Sequence, residues 1–149
     1  MSHPLDLPRL SRLARCGLVL AALGLTTVIG TARWLKPDPR GFGTHQQLGL
    51  PACGFAERMG MQCPTCGMTT SFAWMSRGRF DRAWSANPAG SVLFVVAGVL
   101  VFWFLAGAIR GRPVGVRTLE TPLTLLVVVT AGFSLLAWMI RLGLGRVLR

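Results

Sequence analysis

Three cysteines, Cys53, Cys63 and Cys66, have residue types and spacing suited to chemistry. They follow the pattern Cys-x9-Cys-x2-Cys, and the second pair stands in the sequence Cys-Pro-Thr-Cys-Gly. Two thiols separated by two residues can exchange electrons as a dithiol and disulfide, and as thiolates they can bind a metal ion. A disulfide with a purely structural role is the third possibility.

The thiol-redox interpretation depends on a helix that we predict to begin at Cys63, with Pro64 at its first position. On such a helix Cys63, Cys66 and Thr70 lie on one stripe, with Thr69 beside it. The positive end of the helix dipole lowers the pKa of a cysteine there and favours its thiolate. Cys63 and Cys66 are therefore the candidate catalytic residues of a membrane thiol–disulfide oxidoreductase.

The metal interpretation rests on the same residues. Cys-Pro-x-Cys-Gly is also the turn of zinc knuckles, in which Gly67 follows the second thiolate. A structural zinc ion takes four ligands, and His45, Cys53, Cys63 and Cys66 supply them with the spacing His-x7-Cys-x9-Cys-x2-Cys. The two interpretations differ in their backbone, because a knuckle requires a turn at Gly67 and the redox interpretation requires a helix there.

The structural interpretation is a disulfide from Cys53 to either Cys63 or Cys66 that staples the segment. A structural or partner-docking motif in a non-enzymatic membrane module is the first interpretation. No paired carboxylates, phosphate-binding loop or Ser-His-Asp set is recognisable in the sequence, which favours a non-enzymatic module, and the thiol-redox interpretation keeps an enzyme as the alternative. No cofactor other than zinc is predicted, and Cys16 is expected to be a small apolar filler.

The elements that carry the motif are predicted to be membrane helices. The chain is 52% hydrophobic and only 14% charged, whereas soluble domains carry about a quarter charged residues. The apolar residues fall in three blocks of about 20 residues, which as helices span about 30 Å, the thickness of the hydrocarbon core. Asn87 and Thr121 are predicted caps of the second and third helices, with Pro88 and Pro122 at the first helical positions.

The predicted fold is thus an all-α integral membrane protein with three transmembrane helices and an interfacial or re-entrant amphipathic helix pair between the first and second. In the first helix of the pair Met68, Phe72 and Met75 form the apolar face, and in the second Phe80, Ala83 and Trp84 do. The predicted divisions are residues 1–15 as a basic amino-terminal tail, 16–35 as transmembrane helix 1, 36–88 as the cysteine-motif segment, 89–109 as transmembrane helix 2, 110–120 as a basic hairpin, 121–140 as transmembrane helix 3 and 141–149 as a basic carboxyl-terminal tail.

The net charge of +11 is explained by this arrangement. Lys and Arg flank the apolar blocks, where they contact lipid headgroups, and no aromatic-basic groove suggests nucleic acid. The expected partners are therefore the lipid bilayer and a further membrane protein. The distribution of basic residues does not by itself decide which end of the protein faces the cytoplasm.

The cysteine motif resembles that of an uncharacterised family of small bacterial membrane proteins. The family pattern is a Cys, about nine residues, Cys-Pro-x-Cys-Gly-x-Thr-Arg, a short amphipathic helix that ends near Gly-[Asp/Arg], and an Asn-Pro that opens the next span. The matching residues are Cys53, Cys63, Pro64, Cys66, Gly67, Thr69, Gly78, Asn87 and Pro88. Thr70 departs from the Arg of many members. The resemblance implies no activity, and it implies a multi-pass protein of the bacterial cytoplasmic membrane with the motif on the extracytoplasmic side.

Overall fold

The computed structural model describes residues 9–112 and 120–145, and this part of the chain is helical. Three of its helices are long and apolar enough to cross a membrane, so the predicted all-α, three-span architecture is confirmed. Residues 1–8 of the predicted tail, 113–119 of the predicted hairpin and 146–149 lie outside the described residues. The helices are α1 (Arg12–Trp34), α2 (Gly54–Met59), α3 (Met68–Met75), α4 (Phe80–Ala86), α5 (Pro88–Arg110) and α6 (Glu120–Gly143), with a short 3₁₀ helix at Thr44–Leu48.

Side chains satisfy the backbone groups at both ends of α1. The helix begins before the predicted residue 16 because the hydroxyl of Ser11 accepts a hydrogen bond from the Ala14 amide, at 3.1 Å. At the other end the Arg77 guanidinium donates to the carbonyls of Arg33 and Leu35, at 2.7 and 2.8 Å. These carbonyls lie in the last turn or beyond it, where no helical amide can reach them.

The predicted start of the second span is confirmed. Pro88 is the first residue of α5, and the Oδ1 atom of Asn87 accepts a hydrogen bond from the Gly90 amide, at 2.9 Å. The corresponding prediction for the third span is wrong in detail. The helix α6 already includes Glu120, so that Thr121 lies inside the helix rather than at its cap.

Helices α1 and α5 pack side by side along the bundle. At one end Gly107 lies so close to Leu18 that an added Cβ would be 3.3 Å from its Cδ1 atom. In the next turn Arg15 donates from Nε to the carbonyl of Ala108, at 2.7 Å. At the opposite end the chain leaves α1, forms the cysteine segment (residues 36–87), and enters α5.

The helix predicted from Cys63 is wrong at its start. Residues 64–67 form a turn, and α3 begins only at Met68, because Gly67 has the left-handed φ of 84° that an α-helix cannot contain. From Met68 onward the prediction holds: Met75 is buried, and the ring of Phe72 packs edge-on against Phe94 with centroids 5.4 Å apart.

The second predicted amphipathic helix is present as α4. Ala83 on its inner face is completely buried, whereas Phe80 and Trp84, predicted to share that face, remain 64% and 53% exposed. The ring of Trp84 lies near Phe133 of α6, at a centroid distance of 6.5 Å. Exposed aromatic side chains on a short helix beside three spans are typical of the membrane interface.

Candidate metal centre

The structure brings the three cysteines of the motif together. Their sulfur atoms all lie within 4.8 Å of one another, with 3.5 Å between Cys53 and Cys63 and 3.0 Å between Cys63 and Cys66. All three are partly buried free thiols. Cys16 is exposed near the start of α1, beside Ala108 of α5, and so belongs to the opposite end of the bundle.

The last two cysteines are held by a tight turn. The amide of Cys66 donates to the carbonyl of Cys63, and that of Met68 donates to Thr65, each at 3.1 Å. A Cβ atom on Gly67 would lie 2.6 Å from the Ala86 carbonyl oxygen. Glycine is therefore required both by the left-handed backbone and by the close approach of a neighbouring chain segment. This backbone conformation, a turn at Gly67, is the one that the zinc-knuckle interpretation requires.

Cys53 reaches this turn by way of α2. It is the residue before Gly54, the first residue of the short helix, whose Ala56 is buried against the rest of the segment. Gly60, with a φ of 65°, ends the helix and reverses the chain direction. The nine residues between the first two cysteines thus form one helix and one reversal of chain direction. This reversal places the sulfur atom of Cys63 close to that of Cys53.

Asn87 joins the turn to α5 through both ends of its side-chain amide. While Oδ1 caps the helix, Nδ2 donates to the carbonyls of Pro64 and Cys66, at 3.2 and 3.0 Å. The residue is 2% exposed. Asn87 is distant from the cysteines in the sequence but contacts their turn in the fold. It both caps α5 and holds the turn by hydrogen bonds.

Helix α6 holds the turn from another side. Trp138 donates from Nε1 to the carbonyl of Gln62, at 2.6 Å, and the hydroxyl of Ser134 donates to that of Pro64, at 3.2 Å. Sequence reasoning missed both residues. The available signal for Ser134 was a hydroxyl side chain in an apolar span. Thr130 gives the same signal, yet its hydroxyl donates to the carbonyl of Leu126 in its own helix.

The two thiols of the turn differ in acidity. Burial raises the pKa of Cys66 to about 12, and its hydrogen bond to the Cys63 sulfur acts in the same direction. Burial also opposes ionisation of Cys63, but hydrogen bonds from the Thr65 hydroxyl and from the thiols of Cys66 and Cys53 outweigh it and lower the Cys63 pKa. Cys63 is therefore the first of the two to become a thiolate, and thiolates are the form that binds metals and attacks disulfides.

A cavity of about 300 Å³ opens onto the sulfur atoms, and its wall includes two further residues from the sequence prediction, His45 and Thr69. His45 does not join the cluster, because its Nε2 atom lies 3.1 Å from the carbonyl oxygen of Pro51. Thr70 was predicted on the cysteine stripe and is not there. Its hydroxyl is fully buried, 2.7 Å from that of Thr44, because the helix begins after the turn.

Residues 53–101 match the model of a family described as "Protein of unknown function (DUF2752)". The matched range contains the three clustered cysteines, Asn87 and the first half of α5. The resemblance to an uncharacterised family is therefore confirmed over these residues. Comparison with curated proteins finds no match, and comparison with solved structures finds none either.

Proposed function

We propose that this chain is a membrane-spanning module that binds a thiophilic metal ion, zinc in the first instance, through Cys53, Cys63 and Cys66. The observation that carries the proposal is the convergence of three sulfur atoms within 4.8 Å beside a glycine-dependent turn. Zinc and related soft ions prefer such thiolates. The proposal is non-enzymatic: the protein holds the ion, and the bound ion orders the cysteine segment for a membrane protein partner.

The distances support this proposal. Zinc bonds thiolate sulfur at about 2.3 Å, and tetrahedral geometry then separates two sulfur ligands by about 3.8 Å. Cys53 and Cys63 already stand 3.5 Å apart, and Cys63 and Cys66 stand 3.0 Å apart. Binding an ion would require side-chain rotation to open these two distances by less than about 1 Å and to bring Cys53 and Cys66, which lie within 4.8 Å of each other, to a similar spacing.

Three cysteines leave one position of a tetrahedral ion open, and we assign it to His45. The imidazole lines the cavity onto which the thiols open, and it would exchange its contact with the Pro51 carbonyl for the ion. Three thiolates with one imidazole are an established zinc ligand set. Because neutral imidazole adds no charge, the complex of three thiolates and a divalent ion keeps a net charge of −1.

The experiment is a titration of the reduced, detergent-purified protein with Co²⁺, followed by competition with Zn²⁺. We expect one ion per chain, with the intense ultraviolet absorption of cobalt–thiolate bonds and the visible bands of tetrahedral cobalt. Cys53→Ser, Cys63→Ser and Cys66→Ser should each abolish tight binding. The matched control is Cys16→Ser, which removes the remaining cysteine and should bind like the original. A thiolate spectrum that survives Cys63→Ser contradicts the proposal.

A second candidate function is thiol–disulfide exchange, which the difference in acidity between Cys63 and Cys66 favours. The Cys63 thiolate would attack a partner disulfide and release one partner thiolate. The Cys66 thiol would then lose its proton and displace the second, which leaves a Cys63–Cys66 disulfide and a reduced partner. Cys53 separates the candidates, because metal binding requires it and this exchange does not. Stoichiometric reduction of a model disulfide by Cys53→Ser protein, even at a rate changed by the lost Cys53–Cys63 contact, therefore favours exchange.

We further propose that the cysteine segment faces the outside of a bacterial cytoplasmic membrane. In the sequence, Arg110, Arg112 and Arg117 fall within eight residues between the second and third apolar blocks. The end opposite the cysteine segment therefore carries a denser group of arginines, as cytoplasmic ends do. Labelling of reduced cysteines in intact cells by a membrane-impermeant maleimide tests the proposal, since protection of the motif until lysis contradicts it.

A further inference from the structure

A second cavity lies at the other end of the bundle, in the cleft between α1 and α5. Its volume is about 690 Å³. Its charged and large apolar lining residues are Arg12, Arg15, Val19 and Leu20 on α1, and Leu105 and Ile109 on α5. The three clustered cysteines do not contribute to it, so what it binds is independent of the metal proposal.

The cleft changes from charged to apolar along its length. Arg12, Arg15 and Val19 follow one another at spacings of three and four residues, which places them on one face of α1. Arg12 stands at the end of the helix, and Leu20 lies eight residues deeper, which is about 12 Å along the axis. The cleft therefore offers positive charge at its mouth and a hydrocarbon wall below it.

The two guanidinium groups at the mouth have different roles. Arg15 is fixed by its 2.7 Å hydrogen bond from Nε to the Ala108 carbonyl, which presents the remainder of its guanidinium plane at the end of α5. Arg12 is exposed and makes no hydrogen bond or ion pair with the described residues. A planar guanidinium that is already oriented loses little entropy when it binds an oxyanion.

The charge at this end is not balanced by the described residues. Arg9, Arg110 and Arg112 lie at the same end as Arg12 and Arg15, as their positions in α1 and α5 require. The acidic side chains that the structure describes, those of Asp38, Glu57 and Asp81, all belong to the cysteine segment at the opposite end. In the sequence only Asp6 and Glu120 lie near this end. With both of these carboxylates counted against the five arginines, three positive charges remain for external anions.

We infer that this cleft binds an anionic phospholipid of the surrounding bilayer. The phosphate is held between Arg12 and Arg15, and one acyl chain lies along Val19, Leu20 and the α5 wall. Guanidinium groups match the geometry of phosphate oxygens, and basic clefts between membrane helices bind anionic headgroups. The apolar wall distinguishes such a lipid from a soluble phosphate, which would gain nothing from it.

The experiment measures thermal unfolding of the detergent-purified protein with a short-chain phosphatidylglycerol, the matching phosphatidylcholine and glycerol phosphate. We expect a saturable rise in the unfolding midpoint with phosphatidylglycerol alone. Arg12→Gln/Arg15→Gln should weaken the apparent lipid affinity by about tenfold or more, since each basic contact contributes about 1 kcal/mol. The matched control is Arg33→Gln/Arg58→Gln, which removes the same charge at the opposite end and should keep the response.

Arg15 also bonds to α5, so the double variant could fail to fold. The single variant Arg12→Gln then tests the inference, because Arg12 has no described contact whose loss could unfold the protein. We expect Arg12→Gln to weaken lipid binding several-fold. An undiminished response of Arg12→Gln protein overturns the inference. So does an equal response to phosphatidylcholine, which indicates a general lipid effect, or to glycerol phosphate, which indicates a soluble-anion site.

Discussion

The side-chain amide of Asn87 donates a hydrogen bond to the main-chain carbonyl of Cys66, at 3.0 Å, from the residue that caps α5. The same amide also reaches the carbonyl of Pro64, at 3.2 Å. One buried residue therefore contributes both to the start of a membrane span and to the conformation of the cysteine turn. Any change in the turn, including the binding of an ion, bears directly on the beginning of α5.

Asn87 provides the first prediction. Asn87→Ala removes the helix cap and the two bonds to the turn, which together should lower the free energy of unfolding by about 2–4 kcal/mol. Asn87→Ser is the matched variant, because serine still caps a helix but is too short to reach the turn. We expect Asn87→Ser to recover about 1 kcal/mol of the loss in denaturant unfolding. Equal unfolding midpoints for the original protein and Asn87→Ala would show that the amide bonds are unimportant.

Gly67 provides the second prediction. Alanine at this position would have to adopt the left-handed φ of 84°. Its Cβ atom would also lie 2.6 Å from the Ala86 carbonyl oxygen and 2.7 Å from that of Gly41. Gly49 is a natural control, since its φ of 76° is similar but its Cβ direction is open. Gly49→Ala should cost about 1–2 kcal/mol, the penalty of the backbone alone.

Gly67→Ala should cost a further 1–3 kcal/mol or so because backbone oxygens cannot move aside as a flexible side chain can. Both variants are compared by thermal and denaturant unfolding in the same detergent. A loss for Gly67→Ala no greater than that for Gly49→Ala would mean that the close approach of the Ala86 and Gly41 segments is absent in the protein.

The acidities of the two thiols in the turn provide the third prediction. The Cys63 pKa is lowered, so raising the pH converts this thiol to thiolate first, whereas Cys66, with a pKa of about 12, stays protonated through the neutral range. Because alkylation requires the thiolate, iodoacetamide should modify Cys63 before Cys66, and its rate should rise with pH. Mass spectrometry of singly modified protein identifies the first site. Preferential modification of Cys66 in metal-free, reduced protein contradicts the assignment.

Trp138 provides the fourth prediction. Trp138→Phe keeps an aromatic ring in α6 but removes the only donor that the described residues offer to the Gln62 carbonyl, directly before Cys63. An unsatisfied carbonyl costs about 1–3 kcal/mol, and the turn should hold its ligands less well. We expect weaker Co²⁺ binding, by about tenfold, for this loss. Trp34→Phe, at a site 76% exposed, is the control and should bind Co²⁺ normally.

The membrane architecture could be predicted because its causes are local. A run of about 20 uncharged, apolar residues has few alternatives to a spanning helix, since the backbone must satisfy its own hydrogen bonds in hydrocarbon. The beginning of α5 was equally predictable. Asn87 offers a short side-chain acceptor and Pro88 tolerates the first helical position, whatever the rest of the chain does.

The cysteine turn shows what local sequence could not decide. Cys63-Pro64 has the form of a helix start, and sequence reasoning placed a helix there, yet α3 begins five residues later. The deciding contacts are distant in the chain: the Ala86 and Gly41 carbonyls that exclude a Cβ from Gly67, and the amide of Asn87. Local propensity is a weak preference that such packing overrides.

The sequence by itself therefore determined three spans, the cap of α5 and a cysteine motif capable of several chemistries. Only the tertiary structure decided whether the backbone at this motif forms a helix or a turn. The contacts from α5 and α6 hold it as a turn. The tertiary structure brought Cys53 to the other two sulfur atoms, left His45 on the cavity wall, and recruited Ser134 and Trp138 from a span that carries no cysteine. The physical reason is that hydrogen bonds between distant segments depend on how helices pack, which no local pattern of residues encodes.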